Sequence, residues 1–348
     1  MNDKRYDKIL GCLVAAATGD AMGCPLETRP VELIKRDFGN GDFVYDYMET
    51  LPDSIAKDMP RAWVTDDFSV AYISAKYFLR DGGKITEQNC KEAVLDWCSN
   101  EDTKIFFDMY GGPSTRKAIA IINGETVRTD RDYLFSDNLT GTNGGGMKAW
   151  MVGLFDQNNV DKAIEDALTM CRVTHSAPVS LAGGAAIAAA VSAAFAPDAT
   201  LDSVLDAGEY GARIGLKRGY EIGRMGTAAS IERRIQLARC IAKKYGDDFE
   251  RCVVEMTDLI GTGLRANEAV PSAFGFFAAG GDVLRTVYMA INSGNDCDTT
   301  AIMASSMAGA FYGASNMKNF DYHFDTLQRE NKWIDFKKMA DDIYEITK

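Results

Sequence analysis

The most apolar stretch of the sequence is too short to cross a membrane, and the chain lacks an excess of positive charge. Its most apolar stretch, residues 181–196, is a 16-residue run made mostly of Ala and Gly, whereas a membrane span needs roughly 20 predominantly apolar residues. The stretch therefore predicts a buried helix that packs closely through small side chains. The formal net charge of −12 gives no sequence-independent attraction to a phosphate backbone or to anionic lipid. Neither nucleic acid nor a membrane surface is expected as a partner.

Cysteine motifs are also missing. The eight cysteines have irregular spacing and none forms a C-x-x-C pair, which argues against a disulfide framework and against a structural zinc site. The first ten residues, MNDKRYDKIL, have no long apolar run after their charges, so a signal peptide is not expected. Together these absences favour a reducing, cytoplasmic location.

Alternating, strand-like runs are scarce, and apolar residues instead recur at intervals of three and four. This pattern is clear in residues 6–17 and 68–78, and it predicts amphipathic helices. The same pattern occupies four further segments: 160–171, 201–216, 229–243 and 250–261. The chain has no Pro-rich or Ser-rich linker, and its 348 residues are 46% hydrophobic, which is ample for a large buried core. We therefore predict one all-α domain spanning residues 1–348.

A first acidic cluster, Thr65, Asp66 and Asp67, lies in the stretch VTDDFS at 64–69. Thr is a good helix N-cap, and acidic residues in a first turn suit the positive end of the helix dipole. A helical pattern starts at once with Phe68. Taken alone, this first cluster predicts an ordinary capped helix.

A second acidic cluster, Asp296, Asp298 and Thr299, lies in NSGNDCDTT at 292–300. A helical pattern follows it, and Gly313 is suited to end that helix. Capping explains one aspartate easily, but it explains a second aspartate two residues away less well. Gly294, just before the cluster, indicates a tight bend of the backbone.

The two clusters have a chemical consequence if the two helix starts meet in space. Four carboxylates would then converge, and their mutual repulsion would raise their pKa values unless cations compensated it. Ligation by oxygen alone suits Mg²⁺, Mn²⁺ or Ca²⁺ better than zinc, and four carboxylates are enough for two ions about 4 Å apart. A calcium-binding EF-hand is disfavoured, because the D-x-D spacing lacks the twelve-residue loop of that motif.

Six stretches of the chain stand in a recognisable order. They are GCLVAAATGDAMGCPLE at 11–27, TDDFS at 65–69, the loops GPST at 112–115 and TNGGGMK at 142–148, THSAPVSLAGGAAIAAAV at 174–191, and SGNDCDTTAIMASSMAGAFYG at 293–313. In this order they resemble the ADP-ribosylglycohydrolases, the group typified by dinitrogenase-reductase-activating glycohydrolase. The resemblance covers most of the chain.

The resemblance implies a multihelical orthogonal bundle with a binuclear Mg²⁺ or Mn²⁺ centre in a cleft. It implies metal ligands at both clusters, namely Thr65, Asp66, Asp67, Asp296, Asp298 and Thr299. It places Glu27 on a mobile loop near the metals. It also implies that His175 and a glycine-rich loop contact the substrate's phosphates, the loop through the backbone N–H groups of Asn143, Gly144, Gly145, Gly146 and Met147. By itself, a GGG run is typical of a flexible loop, and a His that starts an Ala-rich helix is typical of a helix-end hydrogen bonder.

Four residues depart from the pattern of the family. Asn295 stands where a second glycine is common and Cys297 where a threonine is common, while Phe68 replaces a small polar residue and Lys148 an arginine. A soft thiolate is out of place among hard oxygen ligands, and Lys cannot reproduce the bidentate fork of Arg. None of the four removes a ligand, so we expect the metals to be kept and the surroundings of the substrate to differ.

The resemblance implies a hydrolase that cleaves the glycosidic bond at the anomeric carbon of a ribose and so reverses mono-ADP-ribosylation of proteins. Glu27, Asp66 and Asp298 are the candidate catalytic residues. Two alternatives stay open at this point: hydrolysis of a small ribosyl compound, such as a nucleoside or a free ADP-ribosyl metabolite, and a non-catalytic binding protein on the same fold. The linkage cleaved, the native metal, the general acid and the oligomeric state are equally open.

Overall fold

A computed structural model describes residues 3–128 and 133–348 of the chain. It is 67% helical, and the described residues contain no strand, which confirms the prediction of an all-α fold. The described helices are α1 Lys4–Gly23, α2 Val31–Asp37, α3 Asp66–Arg80, α4 Glu87–Ser99, α5 Lys104–Tyr110, α6 Pro113–Ile122, α7 Gly146–Phe155, α8 Val160–Arg172, α9 Pro178–Ala193, α10 Leu201–Ile222, α11 Ile231–Tyr245, α12 Phe249–Leu259, α13 Ala266–Gly280, α14 Val283–Ile291, α15 Cys297–Tyr312, α16 Phe320–Glu330 and α17 Phe336–Ile346.

The centre of the molecule is built from helices that carry many small residues. Helix α1 packs along α15, and α9 packs along α10. The apolar segment predicted to be a buried helix forms most of α9, and every residue of that helix is buried. By length and composition alone, helix α1 could cross a membrane. However, 94% of its most apolar 18-residue segment is buried inside the protein. It is therefore placed as a core helix.

Both acidic clusters lie at helix starts, as their sequences predict. Thr65 is the N-cap of α3, and its hydroxyl accepts a hydrogen bond of 3.2 Å from the backbone N–H of Asp67. Asp296 is the N-cap of α15, and Gly313, at a φ of 83°, ends that helix. The C-terminal end of α1 lies against the start of α15, because a Cβ added to Gly23 would be 2.5 Å from the Cα of Asp298. Close packing of the core helices thus positions the start of α15.

Candidate metal centre and substrate cleft

The starts of α3 and α15 meet at one cleft, which has a volume of about 380 Å³. The cleft is lined by both acidic clusters except Thr65, by Glu27, by part of the glycine-rich loop and by His175. The two acidic clusters therefore lie together in space, as a shared cation site requires, although more than 200 residues separate them in the sequence. Thr65 lies just behind the cleft and is fully buried.

Two groups of carboxylates form in and behind this cleft. The inner carboxylate group consists of Asp20, Asp67 and Asp298, and the outer carboxylate group consists of Glu27, Asp296 and Asp298. Within each group one oxygen of every residue lies within 4.8 Å of the others. Asp298 belongs to both groups, so two cation positions would share its carboxylate.

Several oxygens of these groups are buried without a hydrogen-bond donor. Among the described residues only four buried side-chain nitrogen or oxygen atoms lack a hydrogen-bond partner. Three of them are Glu27 Oε2, Asp67 Oδ2 and Asp298 Oδ1. An unpaired buried carboxylate oxygen is costly unless a cation or a donor satisfies it. The donor set is all oxygen and negatively charged, which fits hard divalent cations.

The carboxylates of the cleft bind protons tightly when no cation is present. Burial raises the pKa of Asp298 to about 6. Burial, together with the charge on Asp298, raises the pKa of Asp296 to about 7. Burial and the charges on Asp298 and Asp296 raise the pKa of Glu27 to about 10. Burial raises the pKa of Asp66 well above the usual range of aspartate, and the charges on Asp298 and Asp20 add to it. Burial, followed by the charges on Asp66 and Asp298, does the same for the pKa of Asp67.

Asp20 is a member of the inner carboxylate group that the sequence did not single out. It is fully buried in α1, and it accepts hydrogen bonds from the backbone N–H of Thr65 (2.8 Å) and from the Thr65 hydroxyl (2.6 Å). The signal was present as the Gly-Asp-Ala sequence at 19–21, which lies within α1 and not in a turn, but nothing in a lone buried aspartate on a core helix marks it as a ligand. Asp20 also fixes the start of α3. The Thr65 hydroxyl donates to Asp20 and accepts from Asp67, which leaves one lone pair for a cation.

The segment that carries Glu27 is tied to the second cluster by two backbone hydrogen bonds. The N–H of Thr28 donates to the carbonyl of Asn295 (2.6 Å), and the N–H of Asn295 donates to the carbonyl of Arg29 (3.0 Å). Thr28 and Asn295 have positive φ angles of 66° and 59°. Asn tolerates this left-handed conformation better than most residues with a side chain, which explains physically how Asn295 can replace a glycine.

The other three departures from the family pattern lie outside the cleft. Phe68 is fully buried and stacks on Trp150 at 5.7 Å between ring centroids. The Cys297 thiol is buried and donates to the carbonyl of Gly23 at 3.5 Å. Lys148 is buried behind the cleft. Only Asn295 lines the cleft, so the expectation that all four alter the substrate's immediate surroundings is wrong for the other three.

The glycine-rich loop contributes Asn143, Gly144 and Met147 to the cleft. The Asn143 amide donates to the Asp296 carboxylate and so links the loop to the second cluster. Gly145 and Gly146 do not line the cleft, and Gly146 is the first residue of α7. The N–H of Asn143 donates to the carbonyl of Leu264 (3.0 Å) and the N–H of Met147 to the carbonyl of Asn143 (3.1 Å), so the expectation that these two N–H groups contact phosphates is wrong. The positive end of α7 lies beside the cleft, and a helix start favours an anion.

His175 borders the glycine-rich loop, but it does not begin the helix that follows it. Helix α9 starts at Pro178, and the His175 N–H instead donates to the carbonyl of Cys171 at the end of α8 (2.7 Å). A Cβ added to Gly144 would lie 2.5 Å from the Nε2 atom of His175. Only a glycine at this position lets the imidazole edge reach the cleft.

One wall of the cleft consists mostly of residues that the sequence did not single out; Pro113, in the loop GPST, is the exception. It is formed by Ile55, Met109, Tyr110, Pro113 and Leu264. The wall is mainly apolar and includes an aromatic ring, so it suits a flat ring of a ligand. Met109, Tyr110 and Pro113 are close in the sequence, but no spacing relates them to Ile55 and Leu264, which come from other loops.

We expect Gly23→Ala to disrupt the cleft, because its Cβ would overlap the backbone of Asp298, which cannot move aside as a flexible side chain can. Overpacking of this kind destabilises by about 1–3 kcal/mol. Magnesium affinity should also fall, about 10-fold or more. Calorimetric titration with Mg²⁺ and thermal unfolding of the metal-free protein measure the two effects. Gly226→Ala is the matched control, since its Cβ would meet no atom closer than 3.6 Å; equal behaviour of the two variants would contradict the expectation.

Comparison with known proteins gives three similarities that span nearly the whole chain. The protein-family model described as ADP-ribosylglycohydrolase matches residues 1–348. An Escherichia coli (strain K12) protein described as uncharacterized protein YegU is 29% identical over 318 residues, which cover 89% of each chain. An uncharacterized protein of Archaeoglobus fulgidus is 26% identical over 311 residues, which cover 87% of each chain.

The fold is also similar to a solved structure. A chain described as an ADP-ribosylglycohydrolase-related protein complex superimposes with a TM-score of 0.66 and covers 99% of both chains. At 21% sequence identity, this similarity establishes a common fold.

Proposed function

The chain belongs to the ADP-ribosylglycohydrolase family and is a glycosidic-bond hydrolase; from this premise we propose that two divalent cations in the cleft support hydrolysis at the anomeric carbon of a ribose. The observation that carries the proposal is the shared position of Asp298 in the inner and outer carboxylate groups. Unpaired buried oxygens on Glu27, Asp67 and Asp298 support it. Mg²⁺ or Mn²⁺ is the proposed ion.

The inner carboxylate group would hold one cation and the outer carboxylate group the other, with Asp66, Thr65 and Thr299 as further ligands at the two helix starts. Asp20 joins the ligand set proposed from the sequence. When bound, such cations polarise ligand oxygens and lower the pKa of water. Their positive charge would also offset the repulsion that raises the pKa values of the carboxylates.

Three carboxylates are proposed to act on the substrate. Glu27 has one buried oxygen without a partner and faces the cleft, so it can accept the proton of an attacking water once neighbouring cations favour its charged form. Asp66 is the most open aspartate of the first cluster and can orient that water. Asp298 belongs to both the inner and the outer carboxylate group and so would bind at both proposed cation positions. The positive charge that develops on the ribose in an oxocarbenium-like transition state would be stabilised by these negatively charged carboxylates.

The glycine-rich loop and His175 are proposed to bind the phosphates of the ligand. Support comes from the start of α7 beside the cleft, from the Gly144 contact with His175, and from the Asn143 amide that anchors the loop on Asp296. N–H groups at a helix start form a favourable site for phosphate oxygens.

We propose an ADP-ribosylated protein as substrate, so that the reaction reverses mono-ADP-ribosylation as in the dinitrogenase-reductase-activating type. A small ribosyl compound is the second candidate, because the cleft volume is near the lower end of the range for small-molecule pockets and its apolar wall suits a free base. The two complete carboxylate groups argue against a non-catalytic binding protein. Eight free cysteines support a reducing compartment such as the cytoplasm.

Thermal unfolding with ligands separates the candidates. We expect Mg²⁺ plus ADP-ribose to stabilise the protein more than Mg²⁺ plus ribose or a nucleoside, because only ADP-ribose has phosphates for the loop. A ligand at 100 times its Kd adds about 2.7 kcal/mol to the free energy of unfolding. The absence of a shift with ADP-ribose would contradict the phosphate assignment.

Turnover assays then identify the substrate. ADP-ribosyl-arginine protein and plain nucleosides are each incubated with Mg²⁺ and with a chelator, and the released ribosyl product is measured. Release from the protein alone supports reversal of mono-ADP-ribosylation, and release from nucleosides alone supports the second candidate. Turnover that survives the chelator would contradict the role of the cations.

A further inference from the structure

A chain of buried polar side chains lies directly behind His175. The Lys148 ammonium donates to the Thr174 hydroxyl at 2.7 Å, and the Thr174 oxygen lies 2.8 Å from His175 Nδ1. Lys148, Thr174 and His175 are 2%, 8% and 6% exposed. Lys148 comes from the first turn of α7 and the other two residues from the loop before α9, so the chain joins both segments that carry the proposed phosphate contacts.

The directions of these two hydrogen bonds follow from the donor capacity of each group. A lysine ammonium can only donate, and a threonine hydroxyl has a single proton. Lys148 takes one lone pair of the Thr174 oxygen, and a second lone pair remains. If Nδ1–H donated to that second lone pair, the hydroxyl proton would have no acceptor among the described residues, so the hydroxyl donates to His175 Nδ1. Nδ1 must then be the unprotonated nitrogen, and the ring proton lies on Nε2.

The environment keeps the imidazole neutral. Burial, and then the positive charge of Lys148, lower the pKa of His175 to about 3. A neutral ring has two tautomers, so a neighbour is needed to select one. The free edge of the ring faces Gly144 and the cleft, and among the described residues Nε2 has no hydrogen-bond partner.

Lys148 makes no ion pair within the described part of the chain. It lies near the Cys90 and Cys171 thiols, and burial lowers the pKa of its ammonium. A buried ammonium without a carboxylate is costly, and an apolar side chain would fill the same space in α7 at lower cost. We interpret this cost as a sign that the charge of Lys148 has a function other than packing.

We propose that Lys148 and Thr174 are positioning residues that fix His175 as an Nε2–H donor aimed into the cleft. The ligand atom it takes is an acceptor, and the anionic oxygen of a diphosphate fits best; this assignment of the ligand rests on the proposed function. In this tautomer Nε2 carries a proton and cannot accept one, so His175 does not act as the general base toward the cleft.

Nitrogen-15 NMR of the imidazole rings tests the proposal directly, because the chain contains only two histidines. His175→Gln assigns the signals of His175 by their loss. We expect the wild-type protein to show the Nε2–H tautomer. Thr174→Val should abolish the preference between tautomers, whereas Thr174→Ser, which keeps the hydroxyl, should retain it. Lys148→Met should lower the Nε2–H population, because the ammonium charge beside Thr174 then no longer disfavours a proton on Nδ1.

Each outcome decides the proposal. An Nδ1–H tautomer in the wild type, or an unchanged tautomer in Thr174→Val, would overturn it. An unchanged tautomer in a folded Lys148→Met protein would overturn the role of Lys148. If Lys148→Met does not fold, the Val and Ser variants at position 174 still decide the role of the hydroxyl.

Titration with ADP-ribose separates this inference from the proposed function. Thr174→Val should bind ADP-ribose about 10-fold more weakly, and Thr174→Ser should bind it like the wild type, since a hydrogen bond to a charged group is at stake. Binding of ribose, which has no phosphate, should be the same in all three. A lost tautomer with unchanged ADP-ribose affinity would support the positioning role and contradict the placement of phosphates beside His175.

Discussion

Asp298→Asn is expected to lower turnover by about 10²–10³-fold or more, the size of loss seen when a group that stabilises charge in the transition state is removed. The carboxylate of Asp298 is the member common to the inner and outer carboxylate groups. An asparagine offers only one neutral oxygen, and its amide protons repel a cation. Both proposed cation positions are therefore weakened by a single substitution.

The same variant should behave in the opposite way when no metal is present. In the metal-free protein burial, and next the charge on Asp298, raise the pKa values of Glu27, Asp66 and Asp296. A neutral amide removes that repulsion and can donate hydrogen bonds to neighbouring carboxylates. We expect the metal-free variant to unfold at a higher temperature than the metal-free wild type, and to gain little from added Mg²⁺.

Kinetics, Mg²⁺ titration and thermal unfolding measure these effects together. Asp282→Asn is the matched control, because Asp282 is exposed, caps α14 and accepts from the Arg285 N–H at 2.8 Å. Asparagine caps a helix about as well as aspartate, so the control should resemble the wild type. Wild-type turnover and Mg²⁺ affinity in Asp298→Asn would rule out the shared position of this carboxylate.

Removal of divalent cations is expected to make the stability of the protein fall as the pH rises from about 5 to 8. In the folded, metal-free protein the pKa is about 6 for Asp298, about 7 for Asp296 and about 8 for Asp20, with burial as the main cause in each. In the unfolded chain these groups titrate near 3.8. Across the interval the folded state therefore holds protons that the unfolded state has released.

The sign follows from linkage. The free energy of unfolding falls with pH wherever the folded state binds more protons than the unfolded state. One extra bound proton corresponds to about 1.4 kcal/mol lost per pH unit. When Mg²⁺ is present the carboxylates are ionised in the folded state as well, and this slope should disappear.

The difference between the melting temperatures with Mg²⁺ and with a chelator is the quantity to measure, and it should grow from pH 5 to pH 8. Other buried groups cancel in this difference. Asp156, whose pKa burial raises to about 7, does not line the cleft and contributes equally under both conditions. A difference that stays constant with pH would contradict the assignment of the carboxylate groups as the cation site.

Local features of the molecule were predictable from short stretches of sequence. Thr65 caps α3 with its hydroxyl, as its residue type predicts. Asp296 occupies the N-cap position of α15 without a side-chain capping bond, since its carboxylate accepts from Asn143 and Thr299 instead. Gly313 ends α15 because glycine accepts a positive φ. The buried helix α9 followed from its lack of polar residues. The extent of the single predicted domain, residues 1–348, stays a prediction.

Other features depended on contacts between distant segments. Asp20 looked like one polar residue on a core helix, and its role appears only because Thr65 and Asp298 pack against it. The position of His175 before α9, rather than at its start, follows from its hydrogen bond to Cys171. Phe68 and Lys148 were expected near the substrate, but their neighbours placed one in the aromatic core and the other behind the imidazole.

The sequence by itself determined which residues carry charge, where the helices α3 and α15 begin, and that hard oxygen ligands stand at both starts. Helix propensity and capping are local, so a few neighbouring residues suffice to define them. Only the tertiary structure decided that these starts share one cleft, that Asp298 serves both carboxylate groups, and that Lys148 reaches His175 through Thr174. Those relations are set by the close packing of α1 against α15 and by the loops before α7 and α9, and no interval along the chain encodes them.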